Sequence, residues 1–133
     1  MTEAASATGR LKLKAQLFCG VEPALGPGKA MLLEAIVAEG SISAAGRALG
    51  MSYRRAWLLV DGMNRCFVEK LVETTAGGGR DRGAKVTEAG RVALAAYRTL
   101  EADMIAAAEA GPLATLRGML RHCPEERDVV PGE

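Results

Sequence analysis

Apolar and polar positions change rhythm several times along the chain, and each change marks an element. Leu11, Lys12, Leu13 and Lys14 alternate, so Leu11–Cys19 predicts a strand with one solvated face. Glu22–Gly28 (EPALGPG) is rich in Pro and Gly and predicts a turn segment. Leu32, Ala35 and Ile36 fall at helical spacing, predicting a core-facing helix from about Lys29 to Glu39, closed by Gly40. Ser41 and Ser43 are both able to cap a short helix over Ser43–Leu49. Gly50 suits a left-handed residue in a sharp turn. Ser52 then caps a third helix running to about Arg65. Ala45, Leu49, Met51, Ala56, Val60 and Met63 make one buried set for this helix pair. The small Ala45 and Gly46 let the two helices approach closely.

The second half has a different rhythm. Leu71–Thr75 (LVETT) and Ala84–Thr87 (AKVT) read as strands. Ala76–Gly83 between them holds four glycines and predicts a hairpin loop. Thr87 is placed to cap a long helix from Glu88 to about Ala110. Its apolar positions Ala93, Tyr97, Leu100, Met104 and Ala107 recur at steps of four and three, the stripe of a helix packed along its length. Gly111-Pro112 ends it, a short helix fits Leu113–Arg121, and Cys123–Glu133 reads as a frayed tail. The expected organisation is therefore a disordered N-terminus at 1–10, one domain at 11–110 and a short tail at 111–133. The fold class is mainly α with a small β-hairpin wing: a winged helix-turn-helix with a long C-terminal dimerisation helix.

Composition adds bounds. The 133 residues include only five aromatics, so the core must be built from Ala, Leu, Val and Met. No apolar run reaches the ~18 residues that span a bilayer. MTEAASATGR lacks the apolar centre of a signal peptide, and a cytoplasmic location is expected. Cys19, Cys66 and Cys123 are odd in number and lack CxxC spacing, which predicts reduced thiols rather than a disulfide frame or zinc site. The net charge of +1 hides a gradient. Ser43–Arg91 carries nine basic and five acidic residues, a net +4, whereas Val92–Glu133 carries four and seven, a net −3. A polyanion would meet the middle of the chain and avoid its end.

That basic middle contains the candidate chemistry. The third helix opens with Ser52, Tyr53, Arg54 and Arg55, groups that bind phosphates and base edges. Tyr53, Arg54 and Trp57 are expected toward a DNA groove, with Ser52 and Arg55 toward backbone phosphate and Ser43 in the same set. Trp57 has an equally good core reading, so a mixed role is expected. Asn64 fits a helix-end cap or a bond to neighbouring backbone better than a DNA contact. GGGRDRGAK lacks the GK[ST] that opens a helix in a phosphate-binding loop. As a wing, its Arg80 and Arg82, with Lys85, suit a narrow electronegative groove; a plain hairpin with solvated charges is the competing reading. His122-Cys123 makes a poor metal site. His122 is the only histidine and no carboxylates converge, so no enzyme, metal or cofactor is expected.

These motifs carry a family likeness. LLEAI at Leu32–Ile36, GSIS at Gly40–Ser43, SYRRAW at Ser52–Trp57, Met63-Asn64 and LVETTAGGGRDRGAKVTEAG at Leu71–Gly90 resemble the N-terminal DNA-binding domain of ModE-type molybdate-responsive transcription regulators. The last block is the most specific; LysR-type regulators share the helix-turn-helix but are a weaker match. The resemblance implies a twofold dimer built on the long last helix and the N-terminal strand region. It also implies a third helix in the major groove and a wing on the neighbouring groove or backbone. It covers about Leu11–Ala110. Family members usually carry β-barrel modules that bind molybdate after this domain, and no strand-rich segment follows Ala110 here. The expected function is a homodimeric regulator reading an inverted-repeat operator in double-stranded DNA and controlling molybdenum-related genes. The alternative is a winged-helix module that heterodimerises with a full-length regulator without reading DNA.

The segment after Ala110 also generates an expectation about ligand. Oxyanion sites need convergent N–H and cationic or hydroxyl donors on a rigid frame, and direct molybdate binding is not expected. Calorimetry with the purified chain should give no isotherm; micromolar saturation near one ion per chain would overturn that reading.

Overall fold

Pro27 opens the first helix, and the reason is local. At the first helical position a proline loses no hydrogen bond and brings its φ already set. In the computed structural model, which describes residues 9–75 and 83–128, helix α1 spans Pro27–Glu39, two residues longer at its start than expected. It ends at Gly40, whose φ of 82° is left-handed and whose N–H donates to the Ile36 carbonyl at 2.9 Å. Two units are distinguished, Lys14–Ala102 and the segments 9–13 with 103–128.

In the larger unit, the expected Leu11–Cys19 strand is confined to β1, Leu17–Cys19. The segment expected as a turn instead supplies its partner, β2, Glu22–Leu25. The two are antiparallel, joined through Gly20 at φ 62°. Pro23 is admitted because a two-stranded ribbon leaves one side of each strand without ladder bonds. The alternating positions before Leu17 have no partner strand among the described residues, and alternation alone does not make a strand.

Helix α2, Ile42–Ala48, is capped by Ser41, whose Oγ accepts from the Ala44 N–H at 3.0 Å. Gly50 takes the turn at φ 72°. Helix α3, Tyr53–Cys66, is capped by Ser52, whose Oγ accepts from the Arg55 N–H at 3.1 Å. The α2–α3 crossing is close: a Cβ on Gly46 would lie 3.2 Å from the Ala56 Cβ. Ala45, Ala56, Val60 and Met63 are fully buried there, with Leu49 and Met51 packed against them half-buried. Leu32 and Ile36 of α1 join this core, as do Leu33 and Ala30, which the helical spacing did not single out.

Strands β3, Val72–Thr74, and β4, Ala84–Val86, pair antiparallel in the register Val72 to Val86, Glu73 to Lys85 and Thr74 to Ala84. The outer rung is closed by Thr75, whose N–H donates to the Gly83 carbonyl and whose Oγ1 accepts from the Gly83 N–H, both at 2.9 Å. The Ala84 N–H donates to the Gly40 carbonyl at 2.9 Å and ties the hairpin to the end of α1. Val72, Ala84 and Val86 turn inward and complete the core.

Helix α4, Glu88–Glu109, starts from one crowded junction. The Thr87 N–H donates to the Leu71 carbonyl at 2.9 Å, and its Oγ1 donates to the Lys70 carbonyl at 2.7 Å. The same hydroxyl caps the helix by accepting from the Gly90 N–H at 3.0 Å. Gly90 lies so near β3 that a Cβ there would overlap the Leu71 carbonyl oxygen and the Val86 Cγ1. In the smaller unit, helix α5, Leu113–Met119, buries no residue. Arg117 donates to the Gly9 carbonyl at 2.8 Å and holds Glu109 through both terminal nitrogens. No regular element follows through Asp128.

The junction predicts an asymmetry between glycines. Gly90→Ala should destabilise the protein by about 2–3 kcal/mol, because backbone must move to admit the methyl group. Gly28→Ala in α1 faces open space and should be neutral or stabilising by about 0.5–1 kcal/mol. Urea melts of both variants check this; equal midpoints would refute the close-approach argument.

Candidate nucleic-acid interface

Ser52 makes the leading turn of α3 available. Its hydroxyl caps the helix by accepting from the Arg55 N–H, and the residues that follow it are exposed. Tyr53 is 55% and Trp57 40% exposed, and Arg54 and Arg55 are exposed beside them. Neither arginine has an ion pair with a described carboxylate. Other arginines are committed. Arg65 grips Glu22 at 3.0 and 2.7 Å and Asp61 at 2.9 Å. Arg98 grips Glu34 at 2.9 and 2.8 Å and Glu101 at 2.7 Å. The Arg98 hydrogen bonds hold the Glu34 carboxyl below its ordinary pKa. Guanidiniums that already hold two carboxylates have few donors left for a ligand, whereas Arg54 and Arg55 keep theirs.

A groove of about 330 Å³ separates α3 from the β3–β4 hairpin. Trp57 and Asn64 line it on the helix side, and Lys70, Glu73 and Thr74 line the other. Trp57 is thus half-covered by its own chain while its outer portion faces solvent. Asn64 is turned to the backbone: its Oδ1 accepts from the Leu71 and Val72 N–H groups at 2.9 and 3.2 Å, and its Nδ2 donates to the Val72 carbonyl at 3.0 Å. This side-chain amide fixes the distance from α3 to the hairpin.

The remaining expected residues lie as follows. Ser43 is half-buried on α2, and its hydroxyl accepts from Arg47 Nη1 at 2.9 Å. Arg47 is exposed and was not singled out by the sequence; its position one turn after Ser43 was the available signal. Lys70 was likewise missed, because it belongs to no motif and reaches the groove only through the fold. Lys85 is exposed on β4 opposite Glu73, which offsets part of its charge. Arg80 and Arg82 lie outside the described residues.

The stripe on α4 divides. Tyr97 is 4% exposed, and its hydroxyl donates to the Ala15 carbonyl at 2.8 Å, so this ring belongs to the core of its own chain. Ala93 packs half-buried against that core. Leu100 is exposed and, with Tyr97, Leu17 and Phe67, borders an apolar cavity of about 250 Å³. Met104 is half-buried and Ala107 exposed. Among the described residues no three His, Cys, Asp or Glu side chains gather as metal ligands, and no helix is long and apolar enough to cross a membrane.

No protein-family model matches the chain. It is 42% identical over 79 residues to the molybdenum-pterin-binding protein MopA of Rhodobacter capsulatus, covering 59% of this chain and 30% of that one. It is 39% identical over 94 residues to the molybdenum transport protein ModE of Azotobacter vinelandii, covering 71% and 35%. It is 34% identical over 90 residues to the DNA-binding transcriptional dual regulator ModE of Escherichia coli (strain K12), covering 68% and 32%. The chain therefore spans about a third of the length of the curated relatives it matches. These similarities support its link to ModE-type, molybdenum-associated proteins.

Asn64 provides a check on what holds the interface in shape. Asn64→Ala leaves two N–H groups and a carbonyl without their partner and should cost about 2–3 kcal/mol. Thermal melts should show the loss. Unchanged melting with weakened DNA binding would instead make Asn64 a direct contact.

Proposed function

We propose that the chain is a winged helix-turn-helix DNA-binding module, residues 11–110, of a ModE-type transcription regulator. It acts as a homodimer on an inverted-repeat operator. Helix α3 is its recognition helix and the β3–β4 hairpin with its 76–83 loop is its wing. One observation carries the reading. The leading turn of α3 presents Tyr53, Arg54, Arg55 and Trp57 together, exposed, with both guanidiniums free of described carboxylates. A bundle with no ligand has no use for that arrangement, and base edges and phosphates do.

The dimer contact is proposed along α4 through Leu100, Met104 and Ala107, with Ala93 and Tyr97 supporting it from inside. Two such modules would place their recognition helices on half-sites about one helical turn apart or multiples of it. The molybdenum-related names of MopA and the ModE relatives extend the proposal to control of molybdenum-related genes. The competing module that heterodimerises without reading DNA would leave Arg54 and Arg55 dispensable.

Selection of duplexes from a random pool, followed by fluorescence anisotropy on the best site, tests this. Arg54→Ala and Tyr53→Ala should each weaken that site by about 1–3 kcal/mol and relax its sequence preference. Arg55→Ala should weaken all sequences alike and lower the salt slope by about one unit. Arg65→Ala, whose guanidinium is held by Glu22 and Asp61, should leave affinity nearly unchanged. No preference over random DNA at ~150 mM salt, where non-specific binding is already weak, would sink the proposal.

A further inference from the structure

Two of the three cysteines are linked through neighbouring residues at the trailing end of α3. Cys66 is the last residue of that helix, and Cys19 ends β1 directly across the ladder from Glu22. Glu22 in turn takes two hydrogen bonds from Arg65, the residue before Cys66. This ion pair ties the end of α3 to the β1–β2 ribbon that carries Cys19. The Cys66 thiol is influenced by burial first and then by Cys19 and Glu22, which stand in its surroundings. Cys19 is exposed and Cys66 half-buried, and both are free.

We infer that Cys19 and Cys66 form a dithiol modification site that hydrogen peroxide converts to an intramolecular disulfide. The inference is independent of the DNA-binding reading. The roles follow from exposure. The Cys19 thiolate attacks one peroxide oxygen, the O–O bond breaks, and a sulfenic acid forms on Cys19 as hydroxide leaves and is protonated to water. The Cys66 thiolate then attacks the Cys19 sulfur; the S–S bond forms, the S–O bond breaks, and a second water leaves. Two thiols are oxidised by two electrons and one peroxide is reduced to two waters. Burial, with the nearby Cys19 and Glu22, pushes the Cys66 thiol up, so the closing step should quicken above neutral pH.

The bridge would close a loop containing β2, α1, α2 and nearly all of α3. Such a loop restricts the unfolded chain and stabilises the folded one. It leaves the leading turn of α3 untouched, so oxidation would act on the endurance of the helix pair and not on its contact residues.

The test uses the full chain carrying Cys123→Ser, treated with hydrogen peroxide. Free thiols should fall from two to none. Non-reducing peptide mapping should join the Cys19 and Cys66 peptides within one chain. The melting temperature should rise by on the order of 10 °C and return with dithiothreitol. Adding Cys19→Ser or Cys66→Ser should abolish the linked peptide and the rise. If Cys66→Ser does not fold, the parent's peptide map and Cys19→Ser still decide. Sulfinic acid at Cys19 with Cys66 still a thiol, or links between chains only, would overturn the inference.

Discussion

The close approach of Gly90 to the Leu71 carbonyl is the constraint on which the larger unit depends. Only a residue without a side chain lets the start of α4 rest on the backbone leading into β3. Thr87 uses that proximity three times, with its N–H on Leu71, its hydroxyl on Lys70, and the same oxygen as the cap of α4. Asn64 reaches the same short stretch from the other side and takes the Leu71 and Val72 N–H groups. Residues 70–72 are therefore a hub where α3, the hairpin and α4 are bonded to one another through a few polar atoms. The bonds of Asn64 and the cap of α4 are partly sheltered from water, so losing one of those partners leaves a group desolvated and unpaired.

Charge is sorted in the same spirit. Arg65, Arg98 and Arg117 each take a carboxylate in a forked grip. These pairs are substantially exposed, and such pairs add little stability. They do fix side-chain direction, and they withdraw those guanidiniums from other ligands. Arg47, Arg54 and Arg55 remain on the α2–α3 face without described carboxylates. Arg54 and Arg55 thereby place uncommitted positive charge where α3 is exposed.

Much of this was legible in the sequence where a local rule was strong. The caps at Ser52 and Thr87 and the left-handed turns at Gly40 and Gly50 are short-range chemistry, and helical spacing picked out Leu32, Ile36, Ala56, Val60 and Met63. The misreadings came where a partner decides. Glu22–Leu25 carries turn residues yet forms β2, because Leu17–Cys19 lies ready to pair with it. The alternation at Leu11–Lys14 finds no partner among the described residues and stays irregular. Tyr97, placed in the α4 stripe by spacing, is packed within its own chain, its hydroxyl donating to the Ala15 carbonyl far away in sequence. At the candidate site the motif residues of α3 were visible, and Arg47 was signalled by its place one turn after Ser43, whereas Lys70 joins only through the fold.

The Thr75–Gly83 rung has a consequence for how such a chain can diversify. The hairpin is sealed at its outer end by backbone and hydroxyl bonds, with Ala84 beside that rung tied to Gly40, and its inner end is anchored by the residue 70–72 hub. Register is settled below that rung, so the base of the hairpin is held by bonds among described residues alone. Different inserts could be exchanged above it like tips on one handle, altering length or charge while the scaffold stays fixed.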